Sequence, residues 1–314
     1  PGTVIEFNST AGLTCEGELV CDGKPDSLIV FKHLGDSYTG PGIKGNNHTI
    51  RYTKITGFEC PVEYSALSQL HIVNSILEEN TEIGGFISLE KCVVIYNSTY
   101  SESAIPGVYC NVVRNTHFIK DAYDFTYSNV FSNEIEKYVE VGDGIWRHLE
   151  VPCNMIFETS GYEVRHANNY FGSVDEETVR DGIWDMHHPL YPTSGSGYVD
   201  LSNMATRPYS QAHGIVWKVL VNGYDAQDEF DLLPPIGVGK HKFEVYFNRP
   251  MDVSVAPTVA MGVRPPYTQN AIASDGSWNA DSTIYTVYLD LDASSVTDGL
   301  NRIYGANAED NEFF

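Results

Sequence analysis

Between residues 70 and 172 the chain keeps returning to one short pattern, a polar residue followed by two apolar ones. The segments are Ser75-Ile76-Leu77, Cys92-Val93-Val94, Asn111-Val112-Val113, Asn129-Val130-Phe131, Asn154-Met155-Ile156 and Asn169-Tyr170-Phe171. They lie 17, 19, 18, 25 and 15 residues apart, and four units carry a further asparagine a few residues on: Asn80, Asn97, Asn115 and Asn133. No 3.6-residue apolar period runs inside the units, so helical repeats fit poorly. A unit of about 20 residues cannot bury a core alone and must stack on its neighbours, which makes a solenoid. Short β-rich units with Asn and Gly at turns predict a parallel β-helix whose coils rise by about 4.8 Å. Asparagines at equivalent turns are expected in bridging or left-handed conformations, hydrogen-bonded to the coil above.

The register carries a cysteine prediction. Cys110 and Cys153 each stand one residue before a repeated Asn, with Ser128 in the same column between them. Two coils separate the pair by about 9.6 Å, beyond the roughly 7 Å that a disulfide spans between Cα atoms. No Cys110–Cys153 bond is expected. Residues 1–69 read as earlier, less regular coils. Thr3 to Phe7 alternates, Ser27 to Phe31 is a continuous apolar run, and Gly40-Pro41-Gly42 and Gly45-Asn46-Asn47 punctuate the chain. Asn47 to Ile50, followed by Ile55 and Phe58, reads as another coil.

Residues 191–212 are rich in Ser, Gly, Pro and Thr and read as a linker. Beyond it, strands come at sandwich spacing. They are His213 to Val221, ending at Asn222-Gly223; His241 to Asn248; Thr258 to Val263; Thr283 to Leu291; and Leu300 to Tyr304 after an Asp298-Gly299 turn. The expected class is all-β. A right-handed parallel β-helix is expected over residues 1–205 and a C-terminal sandwich over 206–314.

Two resemblances sharpen this. The stretch Asn168-Asn169-Tyr170-Phe171-Gly172, then Gly182-Ile183-Trp184-Asp185 and Pro189-Leu190, resembles the closing segment of bacterial and archaeal surface β-helix proteins, over roughly residues 45–205. In that family a short acidic segment crosses back over the last coil. The architecture is that of the pectate-lyase-like superfamily, whose members include lyases, hydrolases, adhesins and structural proteins, so the likeness implies fold rather than function. Phe243-Glu244-Val245-Tyr246-Phe247-Asn248-Arg249-Pro250-Met251-Asp252 resembles bacterial immunoglobulin-like (Ig-like) domains of surface-layer and secreted carbohydrate-active proteins, as does Asp298 to Asn301 with Gly305-Ala306 and Asp310-Asn311. This second likeness covers about residues 213–314 and implies a spacer or assembly module. In that family another strand follows the Asp-Asn turn, whereas this chain stops at Phe314. A chain cut from a longer one, an edge strand supplied by a second molecule, and a different strand count are the alternatives.

Charge narrows the partners. The chain has 314 residues and a net charge of −23, from 42 acidic against 19 basic residues. Such a field repels phosphate backbones and anionic membranes, so neither nucleic acid nor membrane insertion is expected. No run of 18 apolar residues occurs. The start at Pro1, without Met or leader, reads as a processed chain or a piece of a longer one. The six cysteines include no Cys-x-x-Cys. A short Cys15–Cys21 disulfide would fit an oxidising compartment, while buried thiols are the other use of such residues.

Candidate chemistry is sparse. The catalytic sets of polygalacturonases and pectate lyases, P-loops, dinucleotide fingerprints and nucleophile elbows are absent from the sequence. The remaining acid/base candidates are Lys120, Asp121 and Asp124, with His117, in a loop between coils; a solvated polar turn is the plainer use. Asp185, His187 and His188 suit a structural or capping role, since adjacent strand residues face opposite ways. Asp225, Asp228, Glu229 and Asp231 form an acidic loop with calcium-type ligands but without EF-hand spacing; no other cofactor is expected. Trp146 and Trp278 are candidate glycan contacts, with Trp184 and Trp217 as further aromatic platforms, although Trp is more often a core residue. Asn8, Asn47 and Asn97 sit in glycosylation-type sequons. The expected function is an extracellular or cell-surface structural, adhesive assembly protein that associates with itself by strand complementation or with other surface proteins. The alternative is a secreted polysaccharide lyase or glycoside hydrolase, or a non-catalytic glycan binder.

Overall fold

The apolar pairs of the repeat become short parallel strands. A computed structural model describes residues 2–8, 11–34, 41–45, 48–63, 70–83, 87–98, 105–116, 123–134, 138–140, 145–148, 154–156, 164–190, 197–226, 234, 236–262, 268, 271–291, 302–307 and 312–313. Among these, one short helix accompanies the strands, so the chain is all-β. It divides into two compact units, Pro1–His213 and Gly214–Phe314.

In the first unit the chain visits three parallel sheets in turn. The long sheet contains Val4–Asn8, Ile29–Leu34, Thr53–Thr56, Ile76–Glu78, Val93–Ile95, Asn111–Val113 and Asn129–Phe131. The second contains Leu19–Asp22, His48–Arg51, Leu70–Val73, Ile87–Glu90, Ile105–Val108 and Tyr123–Thr126; the short third contains Leu13–Cys15, Pro41–Gly45 and Cys60–Glu63. In-register pairing stacks like on like. Phe31, Ile55, Leu77, Val94, Val112 and Val130 form one inward column. Cys21, Ile50, Ile72, Leu89, Gly107 and Phe125 form another. Their side chains meet in one buried core, each large aliphatic contributing about 1.5–3 kcal/mol. Gly107 is required there, because a Cβ would run into the Phe125 ring.

Polar columns hold the corners. Asn80, Asn97, Asn115 and Asn133, all buried, form a ladder that the half-buried Asn154 extends. The backbone N–H of Phe58, Asn80, Asn97, Asn115 and Asn133 each donates to the side-chain oxygen of the ladder asparagine in the next turn, at 2.9 to 3.2 Å. The expected hydrogen bonds between turns are therefore present at Asn80, Asn97, Asn115 and Asn133. A second column is Thr53, Ser75, Cys92, Cys110, Ser128 and Asn169. Thr53, Cys110 and Ser128 donate their N–H groups to the side-chain oxygens of Ser75, Ser128 and Asn169.

This corrects the register. Asn154 extends the Asn80–Asn133 ladder, and Asn169 extends the Ser128 column, so neither shares a position with Asn111 and Asn129. The cause is that asparagine serves at several different points of one turn, so a pattern keyed on Asn slips by several residues. Cys153 itself lies outside the described residues. The absence of a disulfide at Cys110 agrees with expectation, since Cys110 is a free thiol. The left-handed residues also differ from expectation. They are those just before each column, among them Asn74, Glu79, Lys91, Tyr96, Tyr109, Arg114, Tyr127 and Ser132, and not the ladder asparagines.

The stack closes with the helix Glu176–Asp181, capped by Asp175. Ile183–Trp184 then pairs with Met155–Ile156, and Tyr198–Val199 with Val164–Arg165. The unit boundary falls at 213/214 instead of 205/206, because residues 205–209 are bonded to the last turns. Ala205 N–H reaches Asn169 O, and Asn129 grips the Tyr209 peptide at both N–H and C=O.

In the second unit, Tyr224–Asp225, Val216–Val221, Gly239–Phe247, Ile284–Leu291 and Ser277–Trp278 form one antiparallel sheet. Ala271–Ala273, Thr258–Gly262, Arg302–Asn307 and Glu312–Phe313 form another. Both supply one core, including Phe243, Val245, Tyr285 and Val287 from the first sheet with Val259 and Met261 from the second. The Asn222-Gly223 turn has φ of 53° and 91°, the geometry that matches hairpin twist. Glu312–Phe313 pairs with Asn307 and Ala306 at the edge of the second sheet among the described residues.

The ladder makes a stability prediction. The Asn115 side-chain nitrogen lies within 3.0 Å of Val94 O, Val113 O and Asn133 Oδ1. Its oxygen receives Asn97 N–H. Asn115→Ala leaves these groups buried and unpaired and should cost about 3–5 kcal/mol, read from the urea midpoint. Ser98→Ala, on the exposed side, should cost less than about 0.5 kcal/mol.

Candidate functional site

Parallel pairing builds a polar cluster on the outer face of the second sheet. Leu70, Ile72, Ile87 and Leu89 point inward, so His71, Ser88 and Glu90 point outward. The register sets His71 directly beside Ser88. His71 Nδ1 lies 2.9 Å from Ser88 Oγ, and Nε2 lies 3.2 Å from Glu90 Oε2. Lys91 Nζ holds the other Glu90 oxygen at 3.1 Å. The Lys91 hydrogen bond, helped by the one from His71, keeps the Glu90 carboxyl below the usual range, so it is an anion at neutral pH. With hydrogen on Nε2, the imidazole donates to Glu90 and offers Nδ1 to the Ser88 hydroxyl. That is the arrangement of nucleophile, base and orienting acid, here on an open face, with the His71 side chain 51% exposed. The sequence contained a signal for it: 17 residues, one repeat, separate His71 from Ser88, and Glu90 follows on the same face.

Asp124 lies on this same outward column. Pro106 stands between it and Ser88, placing it about 9.6 Å further along the stack. Its Oδ1 accepts the His166 N–H at 3.4 Å, and His166 Nδ1 accepts the Phe125 N–H, so Asp124 is tied to the closing turns. His117, Lys120 and Asp121 lie outside the described residues.

At the neighbouring corner three tyrosines meet. Tyr109 and Tyr127, both left-handed, approach with ring centroids 5.7 Å apart, and Tyr209 packs on them at 6.2 and 6.3 Å. Tyr209 Oη donates to Asn168 O at 2.7 Å. No pattern around residue 209, inside the expected linker, marks it as a fastening point.

The remaining candidates are dispersed. Asp185 is fully buried and accepts from Arg180 Nη1, Val199 N–H and His187 N–H. His188 packs at a tilt against Trp184 and His187 edge-to-face against Tyr198, so the two rings have different partners. Trp184 is buried in the core. Trp278 packs against Phe247 and Tyr285, each at 5.2 Å. Trp146 pairs through its backbone with Glu140, and its side chain lies outside the described residues. Of the acidic loop, Asp225 is described, paired with Leu220, while Asp228, Glu229 and Asp231 are not. Among the described residues no group of three His, Cys, Asp or Glu side chains converges as metal ligands. Cys15 and Cys21 are both free thiols, so the Cys15–Cys21 bridge is not formed here. Asn97, the acceptor position of one sequon, is buried in the ladder.

No protein-family model matches the chain, no curated protein matches it, and no solved structure matches it.

Burial sets thiol reactivity. Desolvation pushes Cys92 up to about 12 and Cys21 up to about 11, and Cys110 rises for the same reason. At pH 8 these groups stay protonated, so iodoacetamide should alkylate the half-buried Cys15 well before Cys92 or Cys110, as read by peptide mass spectrometry. Equal rates would contradict the burial.

Proposed function

We propose that residues 1–213 are a right-handed parallel β-helix and residues 214–314 an Ig-like sandwich. Together they serve as a structural and adhesive scaffold at a cell surface or outside the cell. The observation that supports this most is the Asn80–Asn154 ladder, buried from Asn80 to Asn133. It commits a run of buried polar side chains to holding turns together, which suits a stiff element. Strand complementation supplies the assembly. The Val4–Asn8 strand stands at the edge of the long sheet among the described residues, with Val4 57% and Ile5 38% exposed. An exposed apolar edge is a template for a second copy's strand.

The second reading, a carbohydrate-active hydrolase or lyase, draws on the Ser88–His71–Glu90 cluster. The two readings separate experimentally. Negative-stain microscopy with solution mass should show ordered, concentration-dependent oligomers that Ile5→Lys returns to monomers. Monomers at every concentration would remove the assembly reading. Release of reducing ends or acyl groups from a panel of polysaccharides, lost in His71→Ala, would install the enzymatic one.

A further inference from the structure

The outer face of the five-stranded sheet in the second unit concentrates aromatic rings and ammonium groups. Phe243, Val245 and Phe247 point into the core, as do Tyr285, Val287 and Leu289. Alternation therefore turns Lys240, Lys242, Glu244 and Tyr246 outward on one strand, and Thr286, Tyr288 and Asp290 outward on the next. The Val216–Val221 strand contributes through a bulge: Val216 faces Phe247 but Lys218 already faces Tyr246. The extra residue is Trp217, and bulges of this kind re-aim side chains. Lys218 Nζ lies 5.9 Å from the Trp217 ring and 5.6 Å from Tyr246, while Lys240 Nζ lies 4.9 Å from Tyr288. Tyr288 is 48% exposed.

Two features single this face out. It holds three of the chain's ten lysines on a molecule of net charge −23, facing three outward carboxylates, Glu244 bonded to Lys242, Asp290 opposite Lys240, and Asp225 opposite Leu220 on the edge strand. It is also elongated. Tyr246 and Tyr288 sit on adjacent strands four residues apart in register, about 14 Å from ring site to ring site. That is longer than one sugar ring, so the face suits a chain.

We propose that this face binds an acidic polysaccharide, pyranose faces stacking on Trp217, Tyr246 and Tyr288 and uronate carboxylates pairing with Lys218, Lys240 and Lys242. Rings offer flat apolar surface at low entropic cost, and ammonium–carboxylate pairs supply sign selectivity. Single-stranded nucleic acid has the same stackable, anionic character, but its charge sits on phosphates away from the stacking base, whereas a uronate carries its carboxylate on the stacking ring, which suits ammonium groups set 4.9 to 5.9 Å from the aromatic rings. The inference rests on the adhesive part of the scaffold reading. Its test reads glycan retention and not assembly, so the two fail separately.

The test is affinity electrophoresis of the full chain in native gels cast with alginate, with neutral dextran and oligo(dT) as comparisons. Alginate should retard the protein, and added salt should weaken the effect. Tyr288→Ala should weaken retention about tenfold, Tyr288→Phe should preserve it, and Lys218→Glu with Lys240→Glu should abolish it. All three positions face outward, so far-ultraviolet dichroism, which reads the strands and not the rings, should stay unchanged. No retardation by alginate, equal retardation by dextran or oligo(dT), or full retention in the Lys218→Glu/Lys240→Glu variant would each overturn the proposal.

Discussion

The side-chain amide that joins one turn to the next is the interaction on which the first unit depends. A stack of parallel strands satisfies its backbone within the sheets, but the corners between sheets leave N–H and C=O groups buried beside the core. Asparagine answers this with one acceptor and two donors on a short stem. In the ladder each asparagine accepts the N–H of the turn before and donates to carbonyls of that turn, as Asn97 does with Asn80 and Leu77. Every rung thus serves two turns, and a fault in one is felt on both sides.

Around this ladder the corners carry strain that other residues relieve. Left-handed backbone costs an ordinary side chain about 1–2 kcal/mol, yet tyrosine stands there at 52, 96, 109 and 127. At 109 and 127 the rings are used: Tyr209 packs on both, and its peptide is held by Asn129. Closure of the stack follows the same rule. Asp185, fully buried, gathers the Arg180 guanidinium and two backbone N–H groups from the crossing segment. Buried polar groups here are retained where they fix register and direction.

Much of this was legible in the sequence, for identifiable reasons. The apolar pairs at 76–77, 93–94, 112–113 and 130–131 are local and periodic, so all-β stacking and the Asn80–Asn133 bonds could be read directly. Alternation in 243–247 and 285–291 likewise marked the strands of the second unit, and Asn222-Gly223 marked its hairpin. What failed was what one dimension hides. Asn154 and Asn169 look equivalent to Asn129 until pairing separates them. Tyr209 lies 80 residues from Asn129, and nothing in its neighbours announces that contact. The His71–Ser88–Glu90 cluster and the Lys218–Tyr246–Tyr288 face are assembled across strands, and each member is ordinary alone.

The polar cluster and the stacking of the first unit both presuppose that its turns are held as one body by the amide ladder. Native-state hydrogen exchange at Phe58, Asn80, Asn97, Asn115 and Asn133 tests this most directly, because each of these N–H groups is bonded to a side chain of the following turn rather than to a strand. The account predicts that they exchange as slowly as the N–H groups of the inward columns, through opening of the whole unit. Exchange at the rate of surface turns would show that the ladder does not hold the stack.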